Sequence, residues 1–180
     1  MRATTTSILA ALILLLALAL PALGSESGSI TITMTGADEI SISLSKADWA
    51  LGKVAPDTQY STSPPIDWCT LTVTGNTHVN TFIVGEDAKW VDDPAAYKWT
   101  LSSDGTNGSN TYGLWFRVSG DTARDYVPIA KTQTALWPAP GGSSLAPGSS
   151  KKFGLRLLTP TSLVGGREMQ TRITISAVAP

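Results

Sequence analysis

Few side chains in this chain are of a type that does chemistry. His78 is the one histidine and Cys69 the one cysteine among 180 residues. A single histidine excludes a multi-histidine zinc site, and any triad would have to run through it. No nucleophile elbow, phosphate loop, dinucleotide fingerprint or H-E-x-x-H helix occurs. Ser43 to Lys46 and Ser149 to Lys152 match S-x-x-K, but neither opens a helical pattern, and the companion S-D-N and K-T-G motifs are missing. Paired carboxylates for glycoside cleavage would have to converge across a cleft, and no spacing in the chain displays such a pair. No catalytic residue is assigned, and the chain reads as a non-enzyme without a cofactor.

Two other chemistries deserve weighing. Asp104, Asn107 and Asn110 in SSDGTNGSN put oxygen donors on a glycine-rich loop, and EDAKWVDD adds Glu86, Asp87, Asp92 and Asp93. Calcium takes six to eight oxygens; the spacing matches no EF-hand, and a solvated turn is the preferred reading, with no metal assigned. Asn107-Gly108-Ser109 fits an N-glycosylation acceptor at Asn107. The tryptophans 49, 68, 90, 99, 115 and 137 raise the alternative of sugar stacking. Trp99 and Trp115 sit in strand patterns, where core packing is the default. Trp90 and Trp137 lie in loop-like stretches and are the candidates for binding an extracellular-matrix or cell-surface glycan.

The elements that would position these groups are strands. Residues 1–24 are set aside first. Arg2, the apolar run 8–20, Pro21 and the small residues Ala22 and Gly24 compose a secretory signal peptide cut between Gly24 and Ser25. The apolar run is shorter than the ~20 residues a membrane span needs, so no membrane association is expected after cleavage and the product is expected outside the cell, at its surface. Removing Arg2 makes the formal charge one unit more negative than the −1 of the whole chain. That is too near neutrality for a nucleic-acid or anionic-membrane partner. A lone cysteine forms no internal disulfide, and in WCTLTVT it reads as a small buried hydrophobe.

Thr, Ser and Gly are abundant, and no long segment carries helical periodicity. Strands are expected at 29–35, 40–45, 67–74, 78–84, 97–101, 111–118, 126–131, 152–158 and 170–178. Punctuated by Gly, Pro, Asn and Asp, they describe an all-β fold: a single immunoglobulin-like or jelly-roll β-sandwich over 37–180, after the signal peptide. If Gly75, Asn76 and Thr77 form a hairpin loop, Val73 faces Val79 and Cys69 faces Ile83. His78 then sits on the face opposite Cys69, which excludes a Cys–His dyad. The alternative places the two runs in opposite sheets with their inward faces meeting.

Three stretches together carry a resemblance: 49–84, with LG-x-V-x-P followed by a strand, a Gly/Asn turn and a strand; 98–116, a Trp strand, a Gly/Asn turn and an aromatic strand; and 144–177, a turn, a strand, a Pro-marked loop and a last strand. Their layout resembles secreted prokaryotic surface proteins, the biofilm-fibre proteins of the TasA/camelysin type and their archaeal bundling-pilus relatives. The resemblance implies a structural subunit of a filament or pilus, a homopolymer grown head to tail by donor-strand complementation. The donor would be 25–36, with Ile30, Ile32 and Met34 filling a groove, Thr31 and Thr33 facing outwards, and residues 25–29 as leader. SITITMT alternates as a strand should; whether it pairs in its own sheet or a neighbour's is left open by the pattern. Mass spectrometry of the exported chain should find Ser25 as its first residue; a product retaining Met1 would overturn the signal-peptide reading.

Overall fold

The structure, a computed structural model, describes residues 31–63 and 66–180. Residues 1–30, which hold the expected signal peptide, the expected leader 25–29 and Ile30, lie outside the described residues, as do Pro64 and Pro65. The chain divides into two units, 1–36 and 37–180. In the first, residues 31–36 are exposed and belong to no strand, with Ile32 74% and Met34 85% accessible. The strand expected at 29–35 is therefore not formed in its described part.

The second unit is all-β. In chain order its strands are β1 (Ile42–Leu44), β2 (Gln59–Ser61), β3 (Cys69–Val73), β4 (Asn80–Gly85), β5 (Ala88–Trp90), β6 (Lys98–Leu101), β7 (Thr111–Val118), β8 (Val127–Pro128), β9 (Thr134–Trp137), β10 (Ser150–Leu158), β11 (Met169–Gln170) and β12 (Ile173–Val178). Among the described residues they form a large sheet ordered β1-β3-β10-β7-β6-β5-β11, with β2 on β10 and β8 on β7, and a small sheet ordered β12-β4-β9. The inner faces of the two sheets meet in one core, so the unit is a β-sandwich.

Period-two alternation builds that core. In β7, Tyr112, Leu114, Phe116 and Val118 are buried, while Gly113, Trp115 and Arg117 take the opposite face. Leu71, Val73, Leu101 and Phe153 join them from the large sheet; Val79, Ile83, Leu136 and Leu145 meet them from the other side. Trp99 also lies inside, its ring tilted 55° to Tyr112 at 6.5 Å between centroids. Trp115, by contrast, packs on the outer face. A Cβ at Gly105 would strike its ring and a Cβ at Gly113 would strike the Gly105 carbonyl, so both glycines are required by close approach.

The preferred hairpin is corrected. β3 pairs with β1 and β10, placing Cys69 opposite Phe153 and Val73 opposite Ile42, whereas β4 belongs to the small sheet. The segment between them crosses the sandwich, and Leu71, Val73, Val79 and Ile83 meet across the core as the alternative required. Asn76 sets the arch. Its N–H donates to Glu39 O at 3.0 Å, its Oδ1 accepts from Glu39 N at 2.7 Å, and its Nδ2 donates to Ala37 O at 2.9 Å. Val79 and Leu145 then exchange both backbone bonds. A hairpin would leave both apolar faces in one sheet, with nothing opposite.

A buried ion pair ties the sheets together. Arg124, in the loop after β7, donates from Nε to Asp121 Oδ2 at 2.6 Å. Its other two nitrogens donate to Ala135 O at 2.7 Å and Leu136 O at 2.9 Å on β9. The guanidinium also lies 5.6 Å from the Phe116 ring centroid. Asp121 is 3% exposed at its side chain and receives the Ala123 and Arg124 N–H groups on Oδ1. Every charge is matched by a donor or acceptor, which a buried pair requires. Replacing Arg124 by Ala leaves Asp121 and two carbonyls without partners; equilibrium denaturation should show a loss of about 3–5 kcal/mol, and a loss below about 1 kcal/mol would show that the clamp does not hold the sandwich.

Candidate functional site

The residues singled out by type do not converge. His78 is exposed and its Nδ1 lies 3.4 Å from Ser144 Oγ, while Cys69 is half-buried on β3 with its Sγ 3.8 Å from Lys46 O. Lys46 pairs with Asp67 at 3.6 Å.

Asp104, Asn107 and Asn110 of the 102–110 loop bond to separate sets of partners and do not converge. Asp104 Oδ1 accepts from Ser102 Oγ at 2.6 Å, Thr106 Oγ1 at 2.7 Å and Thr106 N at 3.0 Å. Asn110 Oδ1 accepts from the Tyr97 hydroxyl at 3.1 Å. Asn107 Nδ2 donates to Asp57 Oδ1 and to Thr159 O, both at 2.8 Å. The Asp57 backbone is left-handed, with φ of 48°, and its N–H donates to Pro160 O at 2.9 Å. Asn107 thus joins three loops, and a glycan on Nδ2 would replace one of these bonds. The loop itself returns the chain to β7 in parallel with β6, Thr100 opposite Thr111. So short a connection between parallel neighbours, where a crossover is the rule, works because only two residue pairs are formed.

Among the acidic residues nearby, Asp87 meets Lys131 Nζ at 2.7 Å and accepts from Leu101 N at 2.8 Å. Burial raises its pKa, but the Lys131 and Leu101 bonds and the charges of Lys131 and Lys98 outweigh burial and hold it below the usual value. Among the described residues, no three His, Cys, Asp or Glu side chains gather as a metal site would need.

Trp90 and Trp137 lie on strands, not in the loop-like stretches expected. Trp90 ends β5 opposite Met169, with the Arg167 guanidinium 3.8 Å from its ring centroid and its indole N–H buried without a partner. Trp137 ends β9; Lys151 Nζ lies 4.0 Å over its ring and its N–H donates to Ser143 O at 3.0 Å. Each ring therefore has one face covered by a cation. A cleft of about 490 Å³ beside Trp68 is bordered by Arg117, Asp121, Arg124 and Asp125, but these charges pair among themselves.

What the sandwich presents without a partner is strand edge, and the edges differ. β1 and β2 are three residues long, and β8 and β11 two. β9 has its Ala135 and Leu136 carbonyls covered by Arg124. β12 runs six residues and, among the described residues, pairs only with β4. Its entry is anchored: the buried Tyr112 hydroxyl donates to Glu86 O at 2.6 Å and lies 2.8 Å from Thr171 Oγ1, which donates to the same carbonyl at 2.9 Å. Burial holds that phenol well above its ordinary pKa, so it remains a donor.

Direction along the edge follows from β4. Gly85 N donates to Ala130 O, and Val79 bonds Leu145, both on the β9 side. Backbone direction alternates, so Asn80, Phe82 and Val84 address β12 through their opposite residues Val178, Ser176 and Thr174. Ile173, Ile175 and Ala177 therefore turn their N–H and C=O groups to the open side. Their side chains pack against the core and are only partly buried. Sequence reasoning found β12 as a strand; it had no means of showing that the strand would be an edge.

Fold and site together define an all-β sandwich with an open strand edge at β12 among the described residues. No protein-family model matches the chain, and no curated protein matches it.

The hydrogen bond from Ser102, with the Thr106 N–H and hydroxyl, lowers the Asp104 pKa from 3.8 to about 2. Because the folded value is depressed, the contribution of this loop is present above the ordinary value and is lost as the pH falls toward 2. A carboxyl NMR titration should place the Asp104 midpoint near 2, and Ser102→Ala should move it up; a midpoint at 3.8 in the unsubstituted chain would refute the loop geometry.

Proposed function

We propose that the chain is a secreted structural subunit of a cell-surface filament or pilus, assembled head to tail with further copies of itself by N-terminal strand donation. One observation carries the reading. Residues 31–35 have the alternation of a strand, yet form none in their own chain, and Ile32 and Met34 are 74% and 85% exposed. Exposing apolar side chains costs about 25 cal/mol per Å² relative to burial, and a strand with one apolar face recovers that by adding to a sheet edge. A segment donated from one copy to the next makes a heterologous contact, which propagates instead of closing. The layout of the sandwich strands, read from sequence as resembling fibre proteins of the TasA/camelysin type, supports the same reading.

The exported chain, concentrated and imaged by negative stain, should show filaments. A variant lacking residues 25–35 should remain monomeric with an unchanged melting temperature. Monodisperse monomers from the unsubstituted chain at all concentrations would sink the proposal.

A further inference from the structure

We infer that the acceptor of the donated strand is the open edge of β12, with the donor antiparallel to it and Ile32 opposite Ile175. This inference rests on the filament reading and adds the surface, direction and register to it. The occupant is a second copy of this chain, and three observations select the site.

The first is elimination. Among the described residues, the other sheet ends are either no longer than three residues or, at β9, covered by Arg124. Short or covered edges are how sandwiches avoid adding strands. β12 has neither protection, and no proline interrupts its six residues ITISAV.

The second is the coincidence of two open valences on the same residues. Ile173, Ile175 and Ala177 carry both the outward-facing backbone groups and the incompletely buried inward side chains. A strand added there completes backbone hydrogen bonds and extends the apolar inner face of the small sheet in one step. That sheet has three strands against a far wider partner, so a fourth strand continues its cover.

The third is fit. The donor pattern SITITMT spans seven residues and offers three apolar side chains at alternate positions. Antiparallel pairing is the more stable ladder. In that direction Met34 lies opposite Ile173 and Ile32 opposite Ile175, both hydrogen-bonded pairs with side chains inward. Thr33 then faces Thr174, and Thr31 faces Ser176, in pairs lacking mutual hydrogen bonds on the outer surface, where hydroxylated side chains suit water. The opposite face of the register would bury three threonines, which fixes the phase.

Pairs of the latter kind bring Cα atoms to about 4.5 Å, within disulfide reach. The test is therefore a cross-link in the full exported chain carrying Cys69→Ala, Thr33→Cys and Thr174→Cys. Mild oxidation of assembled material should give a ladder of covalent multimers on non-reducing gels. The control carrying Cys69→Ala, Thr33→Cys and Ser43→Cys, which tests the β1 edge, should give none. Filaments without a Thr174→Cys ladder, or with a ladder only in the control, would overturn the β12 site while leaving the filament reading intact. A compact cross-linked monomer would show that the strand adds to its own chain and would overturn the inference. Absence of filaments from the unsubstituted chain would remove the filament reading beneath it. Ala177→Pro gives an independent check. It removes an outward N–H on an edge where proline is tolerated, and should leave the melting temperature within a few degrees while reducing filament yield at least tenfold; unchanged yield would count against β12.

Discussion

The sandwich depends on one largely buried guanidinium. Arg124 reaches from the loop after β7 to two carbonyls of β9 and neutralises Asp121 on the way. Two elements that a hydrophobic core alone would allow to slide, the loop after β7 and β9, are thereby fixed to each other. The chain has no disulfide to do this, since Cys69 stands alone. The same contact has a second consequence: it covers an edge of the small sheet. Stability and edge protection are supplied by a single side chain, and among the described residues the opposite edge, β12, is left without an equivalent.

Elsewhere the fold relies on close approach and on polar joints between loops. Trp115 lies against Gly105 and Gly113, and Trp68 against Gly154, so two large rings cover the outer face of the large sheet only where no Cβ intervenes. Asn107, Asp57 and the buried Thr159 bind three loops at one end. Asn76 does the equivalent at the crossing from β3 to the small sheet. Most of the amide and acid side chains that would attract a search for metal or sugar ligands are thus engaged in holding loops. Trp90 and Trp137, each stacked against a cation, belong with them.

For assembly, the relation between exposed apolar residues and open edges matters most. Isolated exposed hydrophobes are ordinary on protein surfaces. Ile32 and Met34 differ because they alternate on a segment with strand character, and β12 differs because its unpaired backbone groups lie on the residues whose side chains are half-buried. The proposed polymerisation through such a pair would need no conformational change in the sandwich, only the exposed segment and the edge that is open among the described residues.

Much of this was legible in the sequence. Alternation located most of the strands, and β7 was placed residue for residue at 111–118, because a half-buried strand must repeat with period two. The all-β class followed from the same signal. The short strands β2 and β5 were missed, being too brief for a period to register; β11 was merged with β12 in the expected 170–178, and β9 was missed because Pro and Gly follow closely. Of the proposed assembly site, only the alternating pattern of 29–35 was legible. Which sheet β4 joins, whether β6 and β7 run parallel, which tryptophans face inward and which edge stays open are properties of partners distant in the chain. Local pattern says which face of a strand is apolar; only packing, through contacts such as Arg124 on β9, decides what lies opposite that face and beside that edge.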